Sequence, residues 1–275
     1  MPVSRDAFAR GVMDAYRSYG IAESATLSKS LRASAAETAD HMARPMGHPA
    51  FAGLALNERG HCEAAVAFLD LRAFTARTFW DSPDEVVQLA RAVLTQVVEV
   101  VDDFGGHVLG LRGDGVFACF GGPDSRQPSV DAAAALGACA FALDATQNAL
   151  NGVLELSGIA PVQLRAGADH GRLDFVRTGT EGASEVNILG FSPNFAAKCE
   201  KAAKSWEVVV GEGLTRHIPD KTLLSEHEKS PKRYEHHGQV RPYAFHNFRW
   251  RALLPELQGI REDLAGAPSS RVRVH

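Results

Sequence analysis

The chain has 275 residues, of which 45% are hydrophobic and 23% charged, and its formal net charge is −4. These values are typical of a globular protein with one sizeable core, and they exclude a general attraction to nucleic acid or anionic lipid. The four cysteines show no CxxC spacing, which argues against a disulfide framework or a structural zinc site. No apolar run is expected to span a membrane, so the sequence predicts a cytoplasmic protein with a small-molecule ligand.

One main domain with an added segment at each end is predicted. Residues 1–60 are rich in alanine and favour helix, and they are predicted to form an N-terminal helical extension. Residues 61–250 alternate strand-like and helix-like patterns and form the predicted main domain. Residues 251–275 contain Gly, Pro and Ser near 266–270 and are predicted to be a loosely ordered C-terminal tail.

The first strand of the main domain is predicted at residues 64–71, where the apolar run AAVAFLDL brings Asp70 to its tip. The segment RAFTARTF then favours helix. The next helix is predicted to begin at Pro83, because Ser82 and Glu85 have the spacing of a capping box. Apolar residues recur every three or four positions along this helix until a Gly-Gly pair ends it, so one of its faces should pack on a sheet.

A β-hairpin is predicted where HVLGLR and GVFACF flank Gly113 and Asp114, which puts Asp114 at the hairpin tip. Helices are predicted at 129–150 and 192–203, and strands in PVQLRAGADHG, EVVVG and PYAFHNF. Helices that cover one face of a mostly antiparallel sheet give an α+β architecture related to the ferredoxin-like plan.

Two acidic residues at neighbouring strand ends have the chemistry that two-metal phosphate sites need, because oxygens a few ångströms apart must bridge both cations. Asp70 and Asp114 fit this requirement. Taken singly, Asp70 could instead cap the following helix and Asp114 could simply fill a turn. The sequences around them favour the metal site.

Four ordered segments resemble the class III nucleotidyl cyclases. They are FLDLRAFT around Asp70, GGHVLGLRGDGVFACFGGP around Asp114, LRAGADHG at 164–171 and VNILGFSPNFAAKCE at 186–200. The resemblance covers residues 64–248 and implies a cyclase catalytic domain. In that family two domains pair head to tail, with metal ligands from one and base, ribose and phosphate contacts from the other. A single domain therefore implies a homodimer with two sites at its interface.

The resemblance also implies residue roles. Asp70 and Asp114 match the two metal-binding aspartates, and the carbonyl of Leu71 matches the backbone ligand beside the first. The cofactors implied are two divalent metal ions, Mn²⁺ or Mg²⁺. The backbone of Phe74 and Thr75 would bind the polyphosphate at a helix N-terminus, where unpaired N–H groups favour anions.

Residues near the end of the resemblance match the substrate contacts of the second domain. Asn194 matches the residue that orients the ribose, and Lys198 matches an arginine that stabilises the transition state. Lysine keeps the positive charge but loses the bidentate fork of arginine. His237 falls where many members have a lysine, so it could contact the terminal phosphate; a surface histidine in a basic loop is the alternative.

The positions that select the purine in the family are Gly110 and Asn187 in this chain. Adenylate cyclases have Lys and Asp there, and guanylate cyclases have Glu with Cys or a small polar residue, so neither purine pattern is present. Arg112 lies on the same face of the strand as Gly110 and could donate to a carbonyl of a smaller base. The Asn187 amide matches uracil and, when flipped, cytosine. Arg112 favours uracil, because the exocyclic amine of cytosine cannot accept; a salt bridge to an acidic neighbour is the alternative.

A single-domain cyclase without a purine pattern resembles the pyrimidine cyclases of the Pycsar anti-phage systems. That resemblance implies conversion of UTP to 3′,5′-cyclic UMP and pyrophosphate, and a separately encoded effector that binds the cyclic nucleotide in antiviral defence. The alternatives, in order, are a cytidylate cyclase, an adenylate cyclase with an atypical pocket, and a catalytically silent nucleotide-sensing module. The acidic balance disfavours an RNA-binding ferredoxin-like domain.

Overall fold

The computed structural model describes residues 3–24, 46–125 and 127–266. Its helices and strands follow in chain order: α1 Arg5–Ser24, β1 Arg59–Leu71, α2 Phe74–Trp80, α3 Pro83–Asp103, β2 His107–Arg112, β3 Gly115–Gly121, α4 Pro128–Ala145, a π-helical turn Thr146–Leu150, α5 Asn151–Leu156, β4 Leu164–Thr180, β5 Ala183–Leu189, α6 Phe191–Ala202, β6 Val208–Gly211, α7 Glu212–Thr215, β7 Leu224–Glu226, β8 Lys232–His236, β9 Gln239–Tyr243, β10 Phe245–Phe248, α8 Trp250–Leu253 and α9 Leu257–Gly266.

An eight-stranded sheet organises the domain, with the strand order β2-β3-β1-β4-β6-β10-β7 and β5 paired to β4. Its pairs are antiparallel except β4–β6. The predicted α+β class is confirmed. Strand β1 begins at Arg59, earlier than the predicted residue 64, because its first residues pair with β4 alone. The predicted strand PYAFHNF is divided between the end of β9 and β10.

The two faces of β1 pack into different hydrophobic clusters, as the two-residue period of a strand requires. Ala65, Ala67 and Leu69 pack with α1, α3 and α4 in the main core. Ala64 and Val66 pack in a second cluster that includes Ala196 of α6. The expectation that helices cover one face is therefore corrected, since α6 lies on the opposite face from α3 and α4.

Helix α3 begins at Pro83 and ends near the Gly-Gly pair, as the sequence predicts. The predicted capping box is wrong in one respect, because the Ser82 side chain makes no capping hydrogen bond. Its backbone carbonyl accepts instead from the N–H of Val86 at 3.0 Å. Asp84 and Glu85 still lie in the first turn, where a negative charge complements the helix dipole.

Both ends of the described chain pack onto the main domain. Phe8 and Val12 of α1 are fully buried in the main core. The C-terminal segment is helical up to Gly266, so the predicted loose order after residue 251 is corrected for that part. Arg261 of α9 donates to the Val3 carbonyl at 2.9 Å and pairs with Asp103 at 2.9 Å. Residues 25–45 and 267–275 lie outside the described residues, and the boundaries at 60 and 250 remain predictions.

The segment Pro128–Leu156 is long and apolar enough to cross a membrane by length and composition. The expectation that the sequence holds no such run is corrected. Of the most apolar stretch within this segment, 83% is buried inside the domain. Its small residues, mainly alanine, allow α4 to pack closely on the sheet and on neighbouring helices.

Candidate active site

A pocket of about 650 Å³ opens where β1 ends, and it gathers residues from six helices and strands. The end of β1 and the start of α2 form one wall, the turn between β2 and β3 forms another, and β4 and α6 complete it. Its charged residues are of both signs, with three carboxylates and four cations. These residues are Asp70, Arg72, Arg112, Asp114, Arg165, Glu200 and Lys201.

Asp70 is the next-to-last residue of β1, and the register sets it between Gly115 on β3 and Arg165 on β4. The Arg165 guanidinium donates from Nε at 2.9 Å and from Nη2 at 2.7 Å to the same Asp70 oxygen, Oδ2. A Cβ atom at Gly115 would lie 3.2 Å from the other oxygen, Oδ1. The glycine therefore leaves open the space beside the oxygen that Arg165 does not engage.

Asp114 lies in the tight turn between β2 and β3, as predicted, and its backbone carbonyl accepts from the Leu71 N–H at 3.1 Å. Burial, followed by the negative charge of Asp70, raises the pKa of Asp114. Asp70 pairs with Gly115, the residue after Asp114, and Leu71 bonds to Asp114, so the two carboxylates are neighbours and a cation between them would relieve their repulsion.

The chemistry of this donor set fits Mg²⁺ or Mn²⁺. Two carboxylates and the Leu71 carbonyl are hard oxygen donors, and these metals complete their coordination with water and substrate phosphates. Among the residues that the structure describes, no group of three or more His, Cys, Asp or Glu side chains is arranged to hold a metal ion. Two carboxylates and one carbonyl would leave the remaining coordination positions of each ion to water and to substrate phosphates.

Arg165 and Glu200 belong to the site, although the sequence reasoning missed both. Arg165 Nη2 lies 2.5 Å from Glu200 Oε1, so one guanidinium joins Glu200 to Asp70. Burial, followed by the charge of Asp70, raises the pKa of Glu200 to about 7. Both residues lie within the quoted segments LRAGADHG and VNILGFSPNFAAKCE, and a charge directly beside apolar neighbours such as Leu164, Ala166 and Cys199 was the available signal. We call Asp70, Asp114, Arg165 and Glu200 the carboxylate cluster.

Phe74 and Thr75, predicted to bind polyphosphate, are the first residues of α2 and line the pocket. The residue before them, Ala73, has a left-handed backbone conformation with φ of 60° and provides no side-chain cap. The backbone therefore turns sharply between the end of β1 and α2, next to Asp70.

The predicted base-contact positions on β2 lie near one another. Arg112 lines the pocket, and a Cβ atom at Gly110 would lie 4.0 Å from the Arg112 Nε. The Arg112 side chain thus extends back over Gly110, as the shared strand face predicts. Gly110 is not among the pocket-lining residues.

The remaining predicted residues bond to their own chain away from the pocket. The Asn187 amide on β5 donates to the Thr178 hydroxyl on β4. Asn194 Nδ2 on α6 donates to the Gly190 carbonyl at 2.8 Å, and Lys198 Nζ on α6 donates to the Tyr234 Oη at 2.9 Å. We call Asn187, Asn194 and Lys198 the amide–lysine group.

His237 lies in the turn between β8 and β9 and is exposed. Its backbone φ is 48°, and its ring lies 4.0 Å from the His236 ring, centroid to centroid. His237 also does not line the pocket.

Helix α6 contributes residues to the carboxylate cluster and to the amide–lysine group. Ala197, Glu200 and Lys201 line the pocket, whereas Asn194 and Lys198 do not. Within one chain, the pocket therefore contains residues of the carboxylate cluster but neither Asn194 nor Lys198.

Residues 56–243 match the family described as the adenylate and guanylate cyclase catalytic domain. The chain belongs to that family. Among solved structures, the adenylyl cyclase CyaB from P. aeruginosa is similar in fold, with a TM-score of 0.59 and 22% identity; the match covers 70% of this chain and 95% of that chain.

Two curated relatives are cytidylate cyclases. The protein from Staphylococcus aureus is 24% identical over 218 residues, which is 75% of this chain and 51% of the relative. The protein from Escherichia coli is 24% identical over 178 residues, which is 62% of this chain and 38% of the relative. The chain thus spans only about half, or less, of the length of these relatives.

Proposed function

We propose that this chain acts as a homodimeric uridylate cyclase, which converts UTP to 3′,5′-cyclic UMP and pyrophosphate. The observation on which the proposal depends is the Asp70–Asp114 pair at the edge of a pocket lined by four cations. Two carboxylates suit a pair of divalent ions, Mn²⁺ or Mg²⁺, and the cations suit a triphosphate.

The proposed chemistry is an in-line attack of the ribose 3′-hydroxyl on the α-phosphate, with pyrophosphate as the leaving group. When bound, the two ions would acidify that hydroxyl and neutralise the β- and γ-phosphates. Asn194 orients the ribose, and Lys198 stabilises the charge that develops on the α-phosphate. The backbone N–H groups of Phe74 and Thr75 bind the polyphosphate, and His237 contacts the terminal phosphate.

The homodimer is supported by the separation of the two groups within one chain. Lys198 and Asn194 do not line the pocket that contains Asp70 and Asp114 of the same chain. Chemistry on one triphosphate requires all four residues at once. A second copy, with its amide–lysine group facing the first copy's carboxylate cluster, supplies the missing contacts.

Selection of a pyrimidine is supported by Arg112 and Gly110. The long Arg112 side chain extends over Gly110. The space that a purine-selecting side chain at position 110 would need therefore holds a hydrogen-bond donor instead. A guanidinium donor pairs with the O4 carbonyl of uracil and is mismatched with the N4 amine of cytosine. The Asn187 amide would pair with the adjoining edge of the base.

A cytidylate cyclase is the second candidate, and the two curated relatives with that name favour it. Asn187 is compatible with this candidate, because a flipped amide matches the cytosine edge. In either case we propose a cytoplasmic enzyme whose cyclic nucleotide acts as a signal, in antiviral defence, on a separately encoded effector.

The test is to incubate the purified chain with each of the four ribonucleoside triphosphates and Mn²⁺ and to identify the products by chromatography. Cyclic UMP is the expected product, and Arg112→Leu should lower the ratio of UTP to CTP turnover. A cyclic purine product would contradict the pocket argument, cyclic CMP alone would favour the second candidate, and no product would favour a silent module.

A further inference from the structure

Lys198 does not extend freely into solvent; it contacts one aromatic side chain. Its Nζ donates to the Tyr234 Oη at 2.9 Å and lies 4.8 Å from the centroid of the same ring. The two residues are 36 positions apart, on α6 and on β8. The contact therefore depends on how the β8–β9 hairpin packs beside α6.

Tyr234 itself is held by a chain of aromatic rings. Its ring meets Phe191 edge-on at 5.6 Å, and Phe191 stacks on Phe195 at 5.5 Å. Phe195 is 2% exposed and belongs to a hydrophobic cluster between α6, β6 and β10. These ring contacts hold the Tyr234 side chain in place, whereas the Lys198 side chain has four rotatable bonds.

We propose that Tyr234 is a positioning residue that directs the Lys198 ammonium toward the α-phosphate. This inference rests on the proposed function of Lys198. A lysine is a single flexible charge where arginine would offer a rigid fork, and stabilisation of a transition state depends on charge that is already in place. The Tyr234 hydroxyl accepts one of three N–H donors of the ammonium, which leaves two for phosphate oxygens.

The test compares Tyr234→Phe in the wild-type background and in the Lys198→Arg background. Phenylalanine keeps the ring and its packing on Phe191 but removes the hydrogen bond. In the wild-type background, kcat should fall about tenfold with KM changed less than about twofold, because a charge-assisted hydrogen bond is lost. In the Lys198→Arg background, Tyr234→Phe should lower kcat by less than about twofold, because the rigid guanidinium fork needs no tyrosine to orient it.

Tyr243→Phe is the matched control, because it removes a tyrosine hydroxyl from the same hairpin. That hydroxyl contacts Asp169 and accepts from the Gly213 N–H, and it belongs to a different hydrogen-bond network from Lys198. Its effect on kcat should be equal in the two backgrounds. An equal loss in both backgrounds for Tyr234→Phe, no loss in either, or faster turnover would each overturn the positioning role.

The failure of this inference and the failure of the proposed function are distinguishable with one further variant. If Lys198→Ala keeps wild-type turnover, the proposed role of Lys198 fails and the inference about Tyr234 fails with it. If Lys198→Ala abolishes turnover while Tyr234→Phe has no effect, only the inference about Tyr234 is rejected.

Discussion

The carboxylate cluster and the amide–lysine group are built differently, although one helix contributes to both. In the carboxylate cluster, the Asp70 and Arg165 side chains are 16% and 17% exposed and joined by paired hydrogen bonds. In the amide–lysine group, Asn194 and Lys198 are more exposed, and each donates to one neighbour. The first group is joined by ion pairs within one chain, whereas the members of the second each bond to a different neighbour.

The difference in burial and bonding predicts how strongly each group responds to a substitution. A buried set of opposite charges responds strongly to the loss of one member, because the partner is left uncompensated. Loss of an exposed hydrogen-bond donor changes the stability of a single chain little. Such a donor acts only when a ligand or a second copy contacts it. The following experiments are ordered from the largest expected effect to the smallest.

Asp70→Asn should reduce turnover by about a thousandfold or more, since the ions that it helps to bind supply several kcal/mol of charge stabilisation. The chain should still fold, because the asparagine oxygen can accept from Arg165. Product formation and thermal unfolding measure the two outcomes. Asp81→Asn, at the end of α2 and paired with half-buried Arg77, is the control and should keep full activity. Retained activity in Asp70→Asn would reject the metal assignment.

Mixing two inactive variants should restore activity if the two groups meet only across a dimer. Asp114→Ala disables the carboxylate cluster of its chain, and Lys198→Ala disables the amide–lysine group of the other chain. Each heterodimer would therefore contain one intact site. An equal mixture with random pairing should reach about a quarter of wild-type activity. A mixture of Asp114→Ala with Asp70→Asn, both altered in the carboxylate cluster, should stay inactive. Recovery in that control, or none in the test mixture, would contradict the shared site.

Glu200 should make stability depend on pH in the absence of metal. Burial and the charge of Asp70 raise its pKa from 4.5 to about 7, so the folded chain binds the proton more tightly than the unfolded chain. The contribution to the free energy of unfolding is therefore full below about pH 4.5 and is lost as the pH rises through about 7.

Urea unfolding with a chelator, at several values between pH 5 and pH 8, measures this slope. Glu200→Gln should flatten the decrease in stability, because the amide does not titrate. Glu181→Gln, in the exposed turn between β4 and β5, should follow the wild type. If Glu200→Gln keeps the wild-type slope, another group is responsible for it.

Local patterns in the sequence were sufficient for the elements that carry the two aspartates. The apolar run before Asp70, the tight turn at Asp114 and the helix start at Pro83 were all predicted correctly. These features depend on neighbours within a few residues, such as strand periodicity, turn residues and the fixed φ of proline.

Two of the errors share a different cause. The order of the C-terminal segment and the face covered by α6 both depend on which distant surface packs nearby. Local propensity is weak compared with such packing, so a segment such as α9 is helical once Leu257 is buried in the main core.

The sequence by itself determined the family of this chain, its α+β class and the two aspartates, because those follow from short patterns in a fixed order. Only the tertiary structure decided that Arg165 joins Asp70 to Glu200 and that Tyr234 holds Lys198. The first contact requires a strand register across 95 residues, and the second requires a hairpin packed beside a helix 36 residues away. Contacts over such separations follow from the register and packing of the whole sheet, which no local pattern encodes.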